Sequence, residues 1–335
     1  MRYYVALIIV VASLILYYVS WPLGFLEVIS PPPVADLFIK DPGNPLDLPY
    51  GPASGCLHPD VKYFPEGRSG YRFWMYYTPW PPDSAEYPYL ARSNDTVNFT
   101  SEDVVNPLFT PGTPGSWDDS YLADVDVMLV NDTWMMYYAG CSSDQCSIGL
   151  ALSGDGVNWR KYRSNPVIPE PSVEPTVVLA DGSYHMWYSC NKKSLIVSAL
   201  SKMKIIKNMF VCYATSEDGI SWDRHGTVDI PPTYYNIHAN VVFDDGTFHM
   251  MRRARDGISL AYYTSEDGID WELQGYVLSP SPEERQIYRS SQLESPLSDD
   301  WVELDGSRII YYSYLNFTEP GFNTPRIGLA IEDTV

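Results

Sequence analysis

One seven-residue phrase returns along the chain and limits what it can fold into. It reads Ser153-Gly154-Asp155-Gly156-Val157-Asn158-Trp159, then Ser216-Glu217-Asp218-Gly219-Ile220-Ser221-Trp222, then Ser265-Glu266-Asp267-Gly268-Ile269-Asp270-Trp271. A degraded copy, Ser93-Asn94-Asp95-Thr96-Val97-Asn98-Phe99, precedes them. Successive copies start 60, 63 and 49 residues apart. Recurrence of a fixed phrase at roughly 40 to 50 residues or more is the mark of a propeller, a ring of repeated small sheets.

The phrase itself predicts local structure. Asp-Gly between extended runs is a strong hairpin signal, because a two-residue type I′ turn needs positive φ, which glycine tolerates and aspartate accepts. The Trp that follows begins the returning strand and is expected to pack between neighbouring sheets, a sugar platform being the alternative. Around each phrase the chain repeats strand, turn, aromatic strand, longer loop, small-residue strand, turn and last strand. The aromatic strands are Tyr71-Arg72-Phe73-Trp74-Met75-Tyr76-Tyr77, Trp134 to Tyr138, Tyr184 to Tyr188, Phe248 to Met251 and Arg308 to Tyr312. Five such units predict an all-β protein, a five-bladed β-propeller with four strands per blade. The 28 prolines, 22 glycines and 27 tyrosines suit many short strands joined by tight turns.

The boundaries expected are residues 1–26 as an N-terminal transmembrane anchor or uncleaved signal, 27–49 as a stalk or closing strand, and 50–335 as the propeller. Tyr3 to Leu26 carries no charged side chain, and a helix over Tyr3 to Trp21 spans about 28 Å, close to the roughly 30 Å hydrocarbon core. Tyr17, Tyr18 and Trp21 resemble an interfacial belt; a cleaved signal peptide is the competing reading. Arg2 precedes the segment while Glu27, Asp36 and Asp41 follow it, which predicts a cytoplasmic N-terminus and an extracytoplasmic propeller held to the membrane. Sequons at Asn94, Asn98, Asn131 and Asn316 agree with export. So does cysteine placement: Cys141 and Cys146 bracket four residues between strands, Cys190 and Cys212 flank an insertion, and Cys56 is left over. That insertion, Asn191 to Phe210, mixes five lysines with apolar residues and reads as a protruding hairpin or short helix, or as a membrane-touching segment. A net charge of −20 disfavours nucleic acid. A monomer without cofactor is expected, with no metal-ligand spacing specific enough to claim even a structural calcium.

Innermost strands of a propeller converge on its axis, so the residue heading each lies at the mouth of a central funnel. Glu174 stands eight positions before Gly182, His238 eight before Gly246, and Asp124 eight before Asp132. With longer turns allowed, His58 and Arg289 take the same place in units one and five. Asp60 and Asp126, two residues on, share that face and bring further carboxylates to the opening. Trp80, after the first aromatic strand, is a candidate to stack on a sugar.

The five-unit pattern, the run Glu174-Pro175-Thr176-Val177-Val178 and the Ser-x-Asp-Gly-x-x-Trp phrases resemble the five-bladed propeller glycosidases of glycoside hydrolase families 43, 32 and 68, over about residues 50 to 333. In family 43 the first three inner strands supply an Asp base, an Asp that orients and tunes, and a Glu acid. The resemblance therefore implies tuning by Asp124 and acid catalysis by Glu174, whose protonated form neighbouring carboxylates favour. Where the family has Asp-Pro, this chain has His58-Pro59-Asp60. Asp60 then substitutes as base, His58 does acid–base work, or catalysis is lost. His58, Asp126, His238, Arg289 and Trp80 are the expected substrate contacts. The function implied is glycoside hydrolysis; the alternatives are a non-catalytic carbohydrate-binding propeller and a glycoside phosphorylase like family 130, with Arg252, Arg253, His238 and Arg289 clamping phosphate.

Overall fold

The computed structural model describes residues 38–49, 55–80, 86–191, 209–228, 230, 239–254, 259–278, 299–304, 306–316 and 324–332. The segment expected to be an anchor, most of the 191–210 insertion, His238 and Arg289 lie outside them. Among the described residues no helix is long and apolar enough to cross a membrane.

These residues build five antiparallel sheets. The outer strand of the last sheet is supplied from the start of the chain by β1 (Phe38–Lys40). Blade one is β2 (Gly55–Arg68), β3 (Tyr71–Trp80) and β4 (Tyr89–Ser93), with Arg92 bridging Thr100 where a fourth strand would run. Blade two is β5 (Tyr121–Val130), β6 (Thr133–Cys141), β7 (Cys146–Ser153) and β8 (Trp159–Lys161). Blade three is β9 (Ser172–Ala180), β10 (Ser183–Asn191), β11 (Met209–Ser216) and β12 (Asp223–Thr227). Blade four is β13 (Asn240–Asp244), β14 (Thr247–Arg253), β15 (Leu260–Ser265) and β16 (Glu272–Leu278). Blade five is β17 (Asp299–Leu304), β18 (Ser307–Asn316), β19 (Thr324–Glu332) and β1. The inner strands β2, β5, β9, β13 and β17 adjoin in that order and β17 returns to β2, so the ring closes.

Each core cluster lies between two adjacent blades. Between blades one and two, Trp74 and Trp134 stack at 5.4 Å between ring centroids, both fully buried. Burial of one large apolar side chain contributes about 2–3 kcal/mol, so these aromatic layers are what hold neighbouring sheets face to face.

The repeated phrase is a joint between blades. Ser153 Oγ accepts from the Gly156 N–H and Asp155 Oδ1 accepts from the Val157 and Asn158 N–H groups; the copies at Ser216 and Ser265 make the same bonds. These donors hold Asp218 and Asp267 below the usual carboxylate range, led by the Ser221 N–H and the Asp270 N–H respectively. The glycine carbonyl then receives a bond from the middle strand of the preceding blade: Tyr76 to Gly156, Tyr137 to Gly219, Trp187 to Gly268. The degraded copy closes the circle, since Tyr311 of blade five donates to Thr96. Trp159 and Trp271 are buried edge-on against Tyr76 and Trp187, as expected of packing residues.

One expectation changes. The phrase is not a two-residue turn: residues 154–158 separate β7 from β8 and only Gly156 among them has positive φ, because Ser153 and Asp155 side chains satisfy the loop's N–H groups. A Cβ on Gly156 would also meet Trp134 and Tyr76 at 2.8 Å. Turns with positive φ at both positions sit two hairpins earlier, between first and second strands, at Ser69-Gly70, Asn131-Asp132, Asp181-Gly182 and Asp245-Gly246. Among the described residues the inner strand of blade five is β17; the run from Arg289 to Leu293 lies outside them. The offset that puts Glu174 eight before Gly182 falls, counted from Gly306, at Ser298.

A third repeat is an Asn-Pro step. Asn44, Asn106 and Asn165, each before a cis proline, donate and accept through the side-chain amide with both backbone groups of Leu329, Leu90 and Leu150. The side chain thus extends each third strand, and Asn44 ties residues 38–49 into the propeller.

Candidate functional site

His58, Asp124 and Glu174, expected to head the first three inner strands, are the third or fourth residues of those strands and share one local geometry. His58-Pro59 opposes Tyr77, Asp124-Val125 opposes Tyr138, and Glu174-Pro175 opposes Tyr188, two residues against one. These are β-bulges, and their first residues lie in the left-handed region, His58 at φ 53°, Asp124 at 51° and Glu174 at 57°. Side chains in that region cost about 1–3 kcal/mol each and persist at sites where the surrounding structure requires them. All three line a funnel of about 390 Å³, counted to its open mouth, with Asp60, Asp126, Thr176, Ala239 and Asn240.

Two layers of contact follow from the bulge. The first residues meet one another: His58 Nδ1 lies 3.2 Å from Asp124 Oδ1, and Asp124 Oδ2 accepts from the Glu174 N–H at 3.3 Å. His58 Nδ1 is also 3.0 Å from Thr78 Oγ1, its backbone N–H donates to Ser313 Oγ, and Ser189 Oγ donates to Glu174 Oε2. An ionised carboxylate only accepts, so the histidine proton belongs on Nδ1 facing Asp124, which leaves Nε2 as the basic nitrogen.

Residues two positions on reach sideways instead. Asp60 accepts from the Val127 N–H, Asp126 from the Val177 N–H at 3.2 Å, and Thr176 from the Val241 N–H at 3.1 Å. Each staples one inner strand to the next. Asp60 also pairs with Lys62.

Of the residues singled out in sequence, His58, Asp60, Asp124, Asp126 and Glu174 come together in the funnel. Trp80 stands 41% exposed at the end of β3. His238 and Arg289 lie outside the described residues. Among those described, no group of three or more His, Cys, Asp or Glu is arranged to hold a metal ion.

Sequence reasoning missed Thr78, Ser189 and Ser313, although each follows a tyrosine at the same place in a middle strand. It also missed Glu86, half-buried in the segment before β4. Its Oε2 is buried without a partner. Burial first, then the Asp124 charge, push its carboxyl from 4.5 up to about 8, against a hydrogen bond from Thr78.

No protein-family model matches the chain. Two uncharacterized proteins of Mycobacterium tuberculosis are 28% identical over 164 residues, 44% of this chain, and the chain spans about half (53%) of those relatives' length. The A type blood N-acetyl-α-D-galactosamine deacetylase of Flavonifractor plautii is 29% identical over 108 residues, 30% of this chain and 14% of that protein. In structure, an F. plautii N-acetylgalactosamine deacetylase in complex with blood group B trisaccharide superposes with a TM-score of 0.66 at 21% identity, covering 89% of this chain and 96% of the other. A thermostable family-43 glycoside hydrolase gives 0.59 at 15%, covering 82% and 88%. The chain is a five-bladed β-propeller with the fold seen in a family-43 glycoside hydrolase.

Proposed function

We propose that this protein is a carbohydrate-active hydrolase that takes a glycan into the funnel and cleaves a glycosidic bond. The observation that carries the reading is the contact of His58 with Asp124 beside Glu174, three chemically active side chains held at equivalent left-handed positions. In this reaction His58 Nε2 removes a proton from water, the water oxygen bonds to the anomeric carbon, the glycosidic C–O bond breaks, and Glu174 gives its proton to the departing oxygen. Asp124 orients the imidazole and stabilises the imidazolium that forms. This moves the base from Asp60, whose carboxylate is engaged by Val127 and Lys62, to His58. Trp80, exposed on the first blade, is positioned to stack on a sugar ring outside the funnel.

A second reading is favoured by the histidine itself and by the F. plautii deacetylase relative: hydrolysis of an acetamido group on the sugar. The test is wild-type protein beside Glu174→Gln and His58→Gln on aryl glycosides, oligosaccharides and N-acetylated sugars, measuring reducing ends and acetate. Reducing ends formed without added phosphate, lost in both variants, support the glycosidase. Acetate alone transfers the site to the second reading, and sugar binding with neither product leaves a binding propeller.

The propeller is also proposed to lie outside the cytoplasm, anchored by residues 1–26. Two disulfides, Cys141–Cys146 and Cys190–Cys212, and the exposed sequons at Asn94, Asn98 and Asn131 support this. Protease added to intact cells should remove the propeller; full protection would reverse the topology.

A further inference from the structure

The middle strands set a layer of hydroxyls against the bulges. In blades one, two and three the residue after the tyrosine that opposes each bulge is Thr78, Ala139 and Ser189, and in blade five the residue after Tyr312 is Ser313. The three hydroxyl residues are buried, and each reaches a left-handed residue of the funnel. Thr78 Oγ1 lies 3.0 Å from His58 Nδ1, Ser313 Oγ accepts from the His58 backbone N–H at 2.9 Å, and Ser189 Oγ donates to Glu174 Oε2. Blade two has alanine at this place, and there Asp124 meets His58 Nδ1 and the Glu174 N–H instead.

Ser189 is the member of this layer that touches the carboxyl assigned as acid. A hydroxyl has a single proton to give, and Ser189 gives it to Oε2. The oxygen that accepts such a bond is the carbonyl oxygen of a protonated carboxyl, so the acid proton belongs on Oε1. We propose that Ser189 is a positioning residue for Glu174: its hydroxyl holds Oε2, assigns the acid proton to Oε1 and fixes the rotation of the carboxyl, so that one defined oxygen delivers the proton. The inference rests on the hydrolytic reading of the funnel and adds to it a group that reading does not contain. In the reaction the proton passes from Oε1 to the departing glycosidic oxygen as its bond to the anomeric carbon breaks, and Glu174 is left as a carboxylate. Donation from Ser189 stabilises that carboxylate, so the bond that orients the acid also favours release of its proton.

The experiment uses full-length protein labelled with ¹³C at the glutamate side-chain carboxyl, with the Glu174 resonance assigned by its absence in Glu174→Gln. The carboxyl shift is followed from pH 3 to 10 in wild type, Ser189→Ala and Ser189→Thr. Alanine stands at this place in blade two and threonine in blade one, so the blade architecture accommodates both. The Ser189→Ala midpoint should lie roughly half to one pH unit above that of wild type, the worth of one hydrogen bond given to a carboxylate. Ser189→Thr, which keeps the hydroxyl, should restore most of the difference. Loosened packing alone would admit water and move the midpoint down, and so would loss of a serine that accepted the acid proton rather than donating its own. A midpoint unchanged or lowered in Ser189→Ala therefore overturns the proposal. If Ser189→Ala does not fold, Ser189→Thr is compared with Ser189→Val, which differs from it only by a methyl in place of the hydroxyl, and equal midpoints overturn it. No substrate enters this measurement, so its failure counts against Ser189 alone, whereas absent turnover counts against the hydrolase.

Discussion

His58 and Asp124 sit at the bulges of adjacent inner strands with left-handed backbones, and their side chains meet at 3.2 Å, Nδ1 to Oδ1. The pairing suggests a base oriented by a carboxylate rather than a lone histidine. Asp124→Asn tests it cleanly, because asparagine tolerates the left-handed region and the fold should be kept. The amide has an N–H to offer where the carboxylate accepts, so the histidine tautomer is disturbed. Turnover of the best substrate should fall roughly 10²- to 10⁴-fold with little change in sugar affinity. Steady-state kinetics beside calorimetric binding check this, and a variant retaining full turnover would remove Asp124 from the mechanism.

The staples of the inner ring give a stability prediction independent of function. Asp126 is buried and accepts from the Val177 N–H of the next blade. Asp126→Ala leaves that donor without a partner and should cost about 2 kcal/mol in urea unfolding. Asp126→Asn keeps an oxygen in place and should cost less than about 1 kcal/mol. Equal losses in the two variants would mean that charge, not the staple, sets the role of this residue.

What the sequence made legible was what repetition exposes. Equivalent offsets from Asp132 and Gly182 located Asp124 and Glu174, and the recurring Trp located the joints between blades. Repetition also explains the misses. Glu86 lies in a stretch with no counterpart in other blades, so no offset points to it. The left-handed bulges were hidden because glycine is the residue expected there, whereas this chain places His58, Asp124 and Glu174 in it. Arg289 takes the place of the fifth funnel residue only if a longer turn is allowed, whereas the inner strand described beside the turn at Gly306 is Asp299–Leu304. The Asn-Pro step repeats three times and was readable, but its meaning, an amide that imitates a strand, needs tertiary contacts to be seen.

The two disulfides join the ends of middle and third strands in blades two and three, with Cα separations of 4.0 and 5.8 Å. Loop closure predicts about 2 kcal/mol for Cys141–Cys146, five residues apart, and about 3 kcal/mol for Cys190–Cys212, 22 apart. The paired serine variants should lower stability in that order by chemical denaturation. A larger loss for the shorter loop would show that contacts at Cys141, opposite Tyr121, outweigh chain entropy.

Glu86 also predicts how stability changes with pH. Its carboxyl ionises near the ordinary 4.5 in the unfolded chain and at about 8 in the folded one. Between those values the native state holds a proton that the unfolded chain has lost, so raising the pH through this window draws the equilibrium toward unfolding, and above it the penalty is constant. Glutamine at this position cannot ionise. Glu86→Gln should therefore melt within roughly 1 °C of wild type at pH 4.5 and roughly 4 °C above it at pH 9, the gap opening through the window. The difference between variant and wild type, not either curve alone, isolates Glu86 from the other groups that titrate over the same range, such as the histidines. A constant gap across pH would mean that the amide stabilises by its own hydrogen bonds. A gap that closes as pH rises would mean that Glu86 is ionised in the folded protein at neutral pH.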